Sequence, residues 1–222
     1  MKQYGDVYRE WPLASAEVRC AWALDVTRGG IWTQPATEFW GLGFSATSNG
    51  LGAELIGPAA IPQHFQVQVG DRFWGIEFRA HVFLRGIRKE SFGSVQPLEV
   101  GREGFMLAGT VHAIPGEGQL GEMVGDLMGR GLVSADPSVE LALSGSPTGN
   151  ARTLRRRVRE VAGLNGQQIA GVERAREAFR LLSEGMPIAE VVERAGYSDQ
   201  SHLTRALRTL AGRTPRQILS ER

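Results

Sequence analysis

The run Pro187-Ile188-Ala189-Glu190-Val191-Val192-Glu193-Arg194-Ala195-Gly196-Tyr197-Ser198-Asp199-Gln200-Ser201-His202-Leu203-Thr204-Arg205-Ala206-Leu207 decides how this chain is read. Pro187 opens a helix at its first turn, where a missing N–H costs nothing. Ile188, Val191, Val192 and Ala195 then fall on one face at i, i+3, i+4 and i+7. Gly196 follows and suits the left-handed conformation that ends a helix. Ser198 is the expected cap of the next helix, with Asp199 in its first turn. In that second helix Leu203, Leu207 and Leu210 form the apolar stripe, while Ser201, Thr204, Arg205 and Arg208 share another face. A short helix, a glycine turn and a second helix with a polar, Arg-bearing face is the arrangement that seats a helix in the major groove of DNA.

The same layout occurs upstream. Asn150 is a good cap, Leu154, Val158 and Val161 form a stripe, and Gly163 ends the helix. Arg152, Arg155, Arg156 and Arg159 make one basic face. A longer helix over Gln167 to Ser183, with Val172, Ala175, Phe179 and Leu182 inward, would hold the two units apart. Units about 34 Å apart on one side of a duplex enter successive major-groove segments. Charge agrees. Residues 150–222 hold 14 Arg, no Lys and 8 acidic residues, a balance of +6, so the preceding 149 residues carry −5 within a net charge of +1. An Arg-rich half beside an acidic half points to a polyanionic partner, and arginine suits bidentate contacts to guanine and phosphate.

These residues resemble the AraC/XylS family of transcription regulators. The likeness is carried by Arg156-Arg157-Val158-Arg159-Glu160-Val161-Ala162-Gly163, by Ala195 to Leu207 as quoted, and by Ala211-Gly212-Arg213-Thr214-Pro215. It covers residues 136–222 and implies a seven-helix domain whose two recognition helices read double-stranded DNA. By position, the implied base or groove contacts come from Arg152, Arg155 and Arg156 in the first unit and from Gln200, Ser201, Thr204 and Arg205 in the second. Arg159, His202 and Arg208 complete the candidate DNA-binding set. Where the family has a clear helix before the first recognition helix, this chain has Val139-Glu140-Leu141-Ala142-Leu143-Ser144-Gly145-Ser146-Pro147. That segment is short and broken by Gly and Pro, which predicts a malformed, shifted or weaker first unit.

The preceding sequence reads as β-rich to about Gly116. Expected strands are Glu17 to Val26, Glu38 to Ala46, Ala53 to Ile56, His64 to Val69, Arg72 to Arg79 and Met106 to Ile114, divided by Gly, Pro and Asn. In Arg72 to Phe78 the set Trp74, Ile76 and Phe78 is apolar throughout and should face a core. Strands without intervening helices suggest a barrel or sandwich. The fold class is therefore α+β: a β-rich domain over 1–116, for which the resemblance implies a sensor role, a linker helix over 117–135 and a double helix-turn-helix domain over 136–222. Cys20-Ala21-Trp22, Gly57-Pro58 and Gly75-Ile76-Glu77-Phe78-Arg79 are similar to sensor-type domains found ahead of some AraC-type domains, although Ala80-His81 stand where relatives have Pro-Gly. The resemblance implies a module for a small molecule or for dimerisation.

Trp22, Trp32, Trp40 and Trp74 are candidate walls of an apolar ligand pocket, against the plainer reading that they fill a core. His64, His81 and His112 have no His-x-His spacing and no carboxylate placed with them, so no metal site or cofactor is expected, though a cupin-like metal-binding protein is an alternative. Gly41-x-Gly43 is too short for a phosphate loop and more simply eases a strand past its neighbour. No nucleophile stands near a base at a recognisable spacing, so an enzyme is not expected. A lone Cys20 cannot form an internal disulfide and reads as a core thiol. With no apolar run long enough for a bilayer and no signal-peptide core after Met1-Lys2, a cytoplasmic, non-membrane protein is expected. Further candidate partners are a small-molecule effector, a second copy of the chain and RNA polymerase. The competing reading is an interaction module whose basic helices meet an acidic protein.

Overall fold

The computed structural model describes residues 7–87 and 95–220. The N-terminal residues through Asp6, on which the expected absence of a targeting signal rests, lie outside them. The first part holds β1 (Val7–Trp11), β2 (Val18–Asp25), β3 (Gly30–Gln34), β4 (Trp40–Thr47), β5 (Gly50–Ile56), β6 (Gln63–Val67), β7 (Arg72–Phe78), β8 (Val82–Leu84), β9 (Val95–Pro97), β10 (Val100–Gly101), β11 (Gly104–Leu107) and β12 (Thr110–His112). Six of these form one open antiparallel sheet in the order β1-β2-β7-β4-β5-β9. Its edges are β1 and β9. β3 pairs with β6 as a separate ribbon, and β10, β11 and β12 form a small meander.

Period-2 alternation sorts the main sheet into two faces. On one, Trp74, Ile76 and Phe78 of β7 join Leu42 and Phe44 of β4 and Leu55 of β5 in the first core. The helix α1 (Leu120–Gly129) contributes Leu120, Val124 and Leu127 to that core, and β13 (Val133–Ala135) contributes Val133. β13 then pairs with β8. Residues 117–135, which the sequence suggests as a connecting helix, are thus packed into the β-rich part.

The other face of the sheet is nearly bare at its centre, because Gly43 and Gly75 pair directly and Gly41 stands opposite Glu77. The glycines are required. A Cβ at Gly41 would stand 2.0 Å from the Ile76 carbonyl oxygen, and one at Gly75 would stand 2.2 Å from that of Leu42. This agrees with the reading of Gly41-x-Gly43 as a close strand approach. One expected strand is corrected. Met106 to Ile114 is a hairpin, turned by Ala108 and Gly109 at φ 49° and 80°. Two adjacent positive φ values belong to the tight turn that matches strand twist.

The helical part holds α2 (Pro137–Leu143), α3 (Ala151–Ala162), α4 (Gly166–Ser183), α5 (Ile188–Arg194), α6 (Gln200–Ala211) and α7 (Pro215–Ser220). That is one helix fewer, among the described residues, than the seven the resemblance implies. The segment expected to be broken forms α2, a short helix with a full cap. The Asp136 carboxylate accepts from the Ser138 and Val139 amides at 3.0 and 3.1 Å, Pro137 sits in the first turn, and Val139 is buried. The glycines fall after it, with Gly145 and Gly149 at φ 83° and 89° in the loop to α3. Among the described residues no helix is long and apolar enough to cross a membrane.

Two glycine substitutions should separate these roles. Gly41→Ala forces a side chain into a carbonyl and should cost about 3 kcal/mol. Gly125 is exposed inside α1, with open space where a Cβ would stand. Gly125→Ala should therefore gain roughly 0.5–1 kcal/mol. Urea-unfolding midpoints that move in opposite directions are the expected outcome.

Candidate nucleic-acid interface

α3 starts where Asn150 accepts from the Arg152 and Thr153 amides and ends at Gly163, φ 77°. Val158 and Val161 face inward, leaving Arg152, Arg155, Arg156 and Arg159 exposed on the helix. Arg155 bonds back to the Ala151 carbonyl at 3.2 Å, and Arg156 lies 3.7 Å from Glu160. Such exposed pairs are weak and readily exchanged for a phosphate. Arg157 points the other way, to the Asp136 cap at 2.5 Å and towards the Phe83 ring at 5.8 Å.

In the second unit the helix boundary differs by one residue from the expectation. Asp199, not Ser198, caps α6, accepting from the His202 amide at 2.8 Å. That amide and the Ser198 hydroxyl hold the Asp199 carboxyl below its usual range. Gly196 between the helices has φ 68° and Gly212 after α6 has φ 69°. Leu203 and Leu207 are fully buried, and Leu210 is partly so. Gln200, Ser201, Arg205 and Arg208 are exposed, whereas Thr204 is half-buried and bonds back to the Gln200 carbonyl at 2.8 Å. His202 is also half-buried. Its ring lies edge-on to Tyr197 at 5.1 Å and 3.2 Å from the Ser198 hydroxyl, which ties it to the turn. α4 packs against α3, α5, α6 and α7. Its 18 residues make a spine about 27 Å long.

A cavity of about 260 Å³ lies between the glycine-bared sheet face and this helical part. Trp22, Trp32 and Trp40 line it, with Val172, Arg176 and Phe179 of α4 and Leu210 of α6 opposite. Trp74 does not line it. It lies in the first core, to which Trp40 also belongs, and donates to the Pro115 carbonyl at 2.8 Å. Sequence reading missed the charged groups. Arg19 binds Glu77 at 2.7 Å and Glu10 at 3.2 Å, and Arg176 pairs with the buried Glu38. Both guanidinium groups approach the Phe39 ring, at 5.1 and 4.5 Å. Burial pushes the Glu77 carboxyl up, opposed by Arg19, and drives the neighbouring Cys20 thiol up to about 12. The signal that could have found them is Arg176 itself, a charge flanking the apolar stripe of α4. The histidines have separate neighbours: Thr33 for His64, Glu140 for His81 and Asp126 for His112.

Residues 149–221 match the family model of a helix-turn-helix domain. Comparison with curated protein sequences found no match. Among solved structures, the chain is similar to ToxT from Vibrio cholerae, at 7% identity and a TM-score of 0.47 over 96% of this chain and 98% of that one. It is also similar to unsaturated-fatty-acid-bound ToxT from Vibrio cholerae strain SCE256, at 9% identity and a TM-score of 0.44 over 99% and 97% of the two chains.

The Asp136 cap gives the first unit an acid dependence. Burial raises this carboxyl, but the Ser138 hydroxyl, Arg157 and the Val139 amide outweigh it and hold it below its ordinary value. A depressed carboxyl stabilises the fold fully above the unfolded value of about 3.9 and loses that contribution as pH falls through the native value. Asp136→Ala should cost about 1–2 kcal/mol at pH 7 and flatten the decline below about pH 4. Thermal unfolding of both proteins across pH 2–7 checks this.

Proposed function

We propose that this chain, whose residues 149–221 match a helix-turn-helix domain, is a sequence-specific DNA-binding transcription regulator of AraC/XylS type. The observation that carries the reading is α6. It follows a glycine turn, buries Leu203 and Leu207, and leaves Gln200, Ser201, Arg205 and Arg208 exposed on one continuous surface. α3 supports it with a second exposed set, Arg152, Arg155, Arg156 and Arg159, attached to the same spine. In this reading exposed arginines anchor phosphates while base-edge contacts from both recognition helices choose the site. His202 serves the turn more than the groove.

The cavity between the β-rich part and α4 and α6 is the effector site of this regulator. A molecule bound there touches the sheet and the spine at once, so its differential affinity for two arrangements would bias DNA binding. A second copy of the chain and RNA polymerase are the further partners this role calls for.

Selection from a random DNA library at about 150 mM salt tests the reading, because low salt inflates non-specific affinity. A motif in two parts about one helical turn apart is expected. A single short motif would remove α3 from sequence reading, and no enrichment would favour an acidic protein partner. On the enriched site, Arg205→Ala should lose roughly 1–3 kcal/mol of discrimination at one or two base positions. Equal weakening on all DNA would make Arg205 a phosphate contact instead.

A further inference from the structure

Four charged side chains line the cavity: Glu10, Glu77, Arg19 and Arg176. Glu38, outside the lining, takes up Arg176, so among the described residues Arg19 is left to answer two carboxylates. Both cations are already engaged. Arg19 is held between Glu10 and Glu77, and Arg176 is held by Glu38, whose exposure is only 1%. An anionic ligand would have to draw one of them away and leave a buried carboxylate unpaired, which is costly. The rest of the wall suits the opposite charge. Trp22 and Trp32 line the space with Tyr8, whose ring lies 6.0 Å from that of Trp32, and the cavity already places two cations against Phe39. Aromatic faces beside carboxylates that outnumber their available counter-ions attract an organic cation through both ring quadrupole and charge.

Resting on the reading of this cavity as the effector site, we propose that it takes a small organic monocation, an aromatic or alkyl body carrying one amine, amidine or quaternary ammonium group, with Glu77 and Glu10 supplying the countercharge. The burial that raises the Glu77 carboxyl fits a group whose charge lacks full compensation in the cavity. Body size is limited by the 260 Å³ of space. The apolar end lies towards Val172 and Phe179 of the spine helix α4 and Leu210 of the recognition helix α6.

The test uses the full chain and three probes of one skeleton: 2-phenylethylammonium, 2-phenylethanol and phenylacetate. Binding is read by calorimetry and by tryptophan fluorescence. The ammonium should bind about tenfold or more tighter than the alcohol, with phenylacetate weakest. Glu77→Gln should erase the preference for ammonium over alcohol, read as the ratio of the two affinities within that variant. Glu10→Gln gives the same comparison if the first variant fails to fold. Tightest binding of phenylacetate, or equal binding of all three, would overturn the cationic class while leaving the effector site standing. No binding of any probe would overturn both the class and the cavity reading.

Discussion

A carboxylate sealed among apolar side chains must find a counter-ion, and Glu38 finds its own on the far part of the chain. The partner is Arg176, at the middle of α4. After desolvation such a pair adds little net stability, but it tolerates few geometries, since separation strands a buried charge. Beside it the Ala36 amide donates to the Leu210 carbonyl at 2.7 Å, in the last turn of α6. Phe39, adjacent in sequence to Glu38, lies against both Arg176 and Arg19. One short segment before β4 therefore fixes the spine helix, the end of the second recognition helix and the charged edge of the sheet.

The cavity follows from that clamp together with the glycines. The missing side chains at Gly41 and Gly75 let β4 and β7 approach closely, and Gly41 also forms part of the cavity wall, which the docked helices roof. Backbone proximity, needed for strand packing, and empty volume, needed for a ligand, thus meet at Gly41.

The helical part is largely legible in the sequence because its signals are local. Caps, stripes and left-handed glycines lie within a turn or two of what they control, as at Asn150, Gly163 and Gly196. Even there a single-residue ambiguity survives, since Ser198 and Asp199 are both good caps and only geometry selects Asp199. Gly145 and Pro147 suggest a broken helix, whereas the capped turn from Asp136 ends just before them. In the β-rich part strong alternation locates β2, β4 and β7. Short strands such as β8 and β13 give no pattern, being defined by each other across about 50 residues of chain. Three of the four tryptophans meet at the cavity for a similar reason. They lie on three different strands, and only the sheet order and the β3–β6 ribbon bring them together. Trp74 falls on the pleat opposite to Trp22, and although Trp40 shares its face, Trp40 stands at the other end of the β4–β7 pair, where the cavity opens.

The two helix-turn-helix units are not equally self-sufficient. The second closes its own core from α4, α5, α6 and α7. The first completes its core with Ala80 and with Ala60 and Phe83 packed alongside, all from the β-rich part. Recombination between relatives at the loop before α3 would therefore exchange more than a reading head. It would pair Val158 and Ile169 with a foreign surface and part Arg176 from Glu38, so shuffled descendants would inherit the second unit's apolar core but would have to rebuild the first unit, and the clamp on the spine, against each new neighbour.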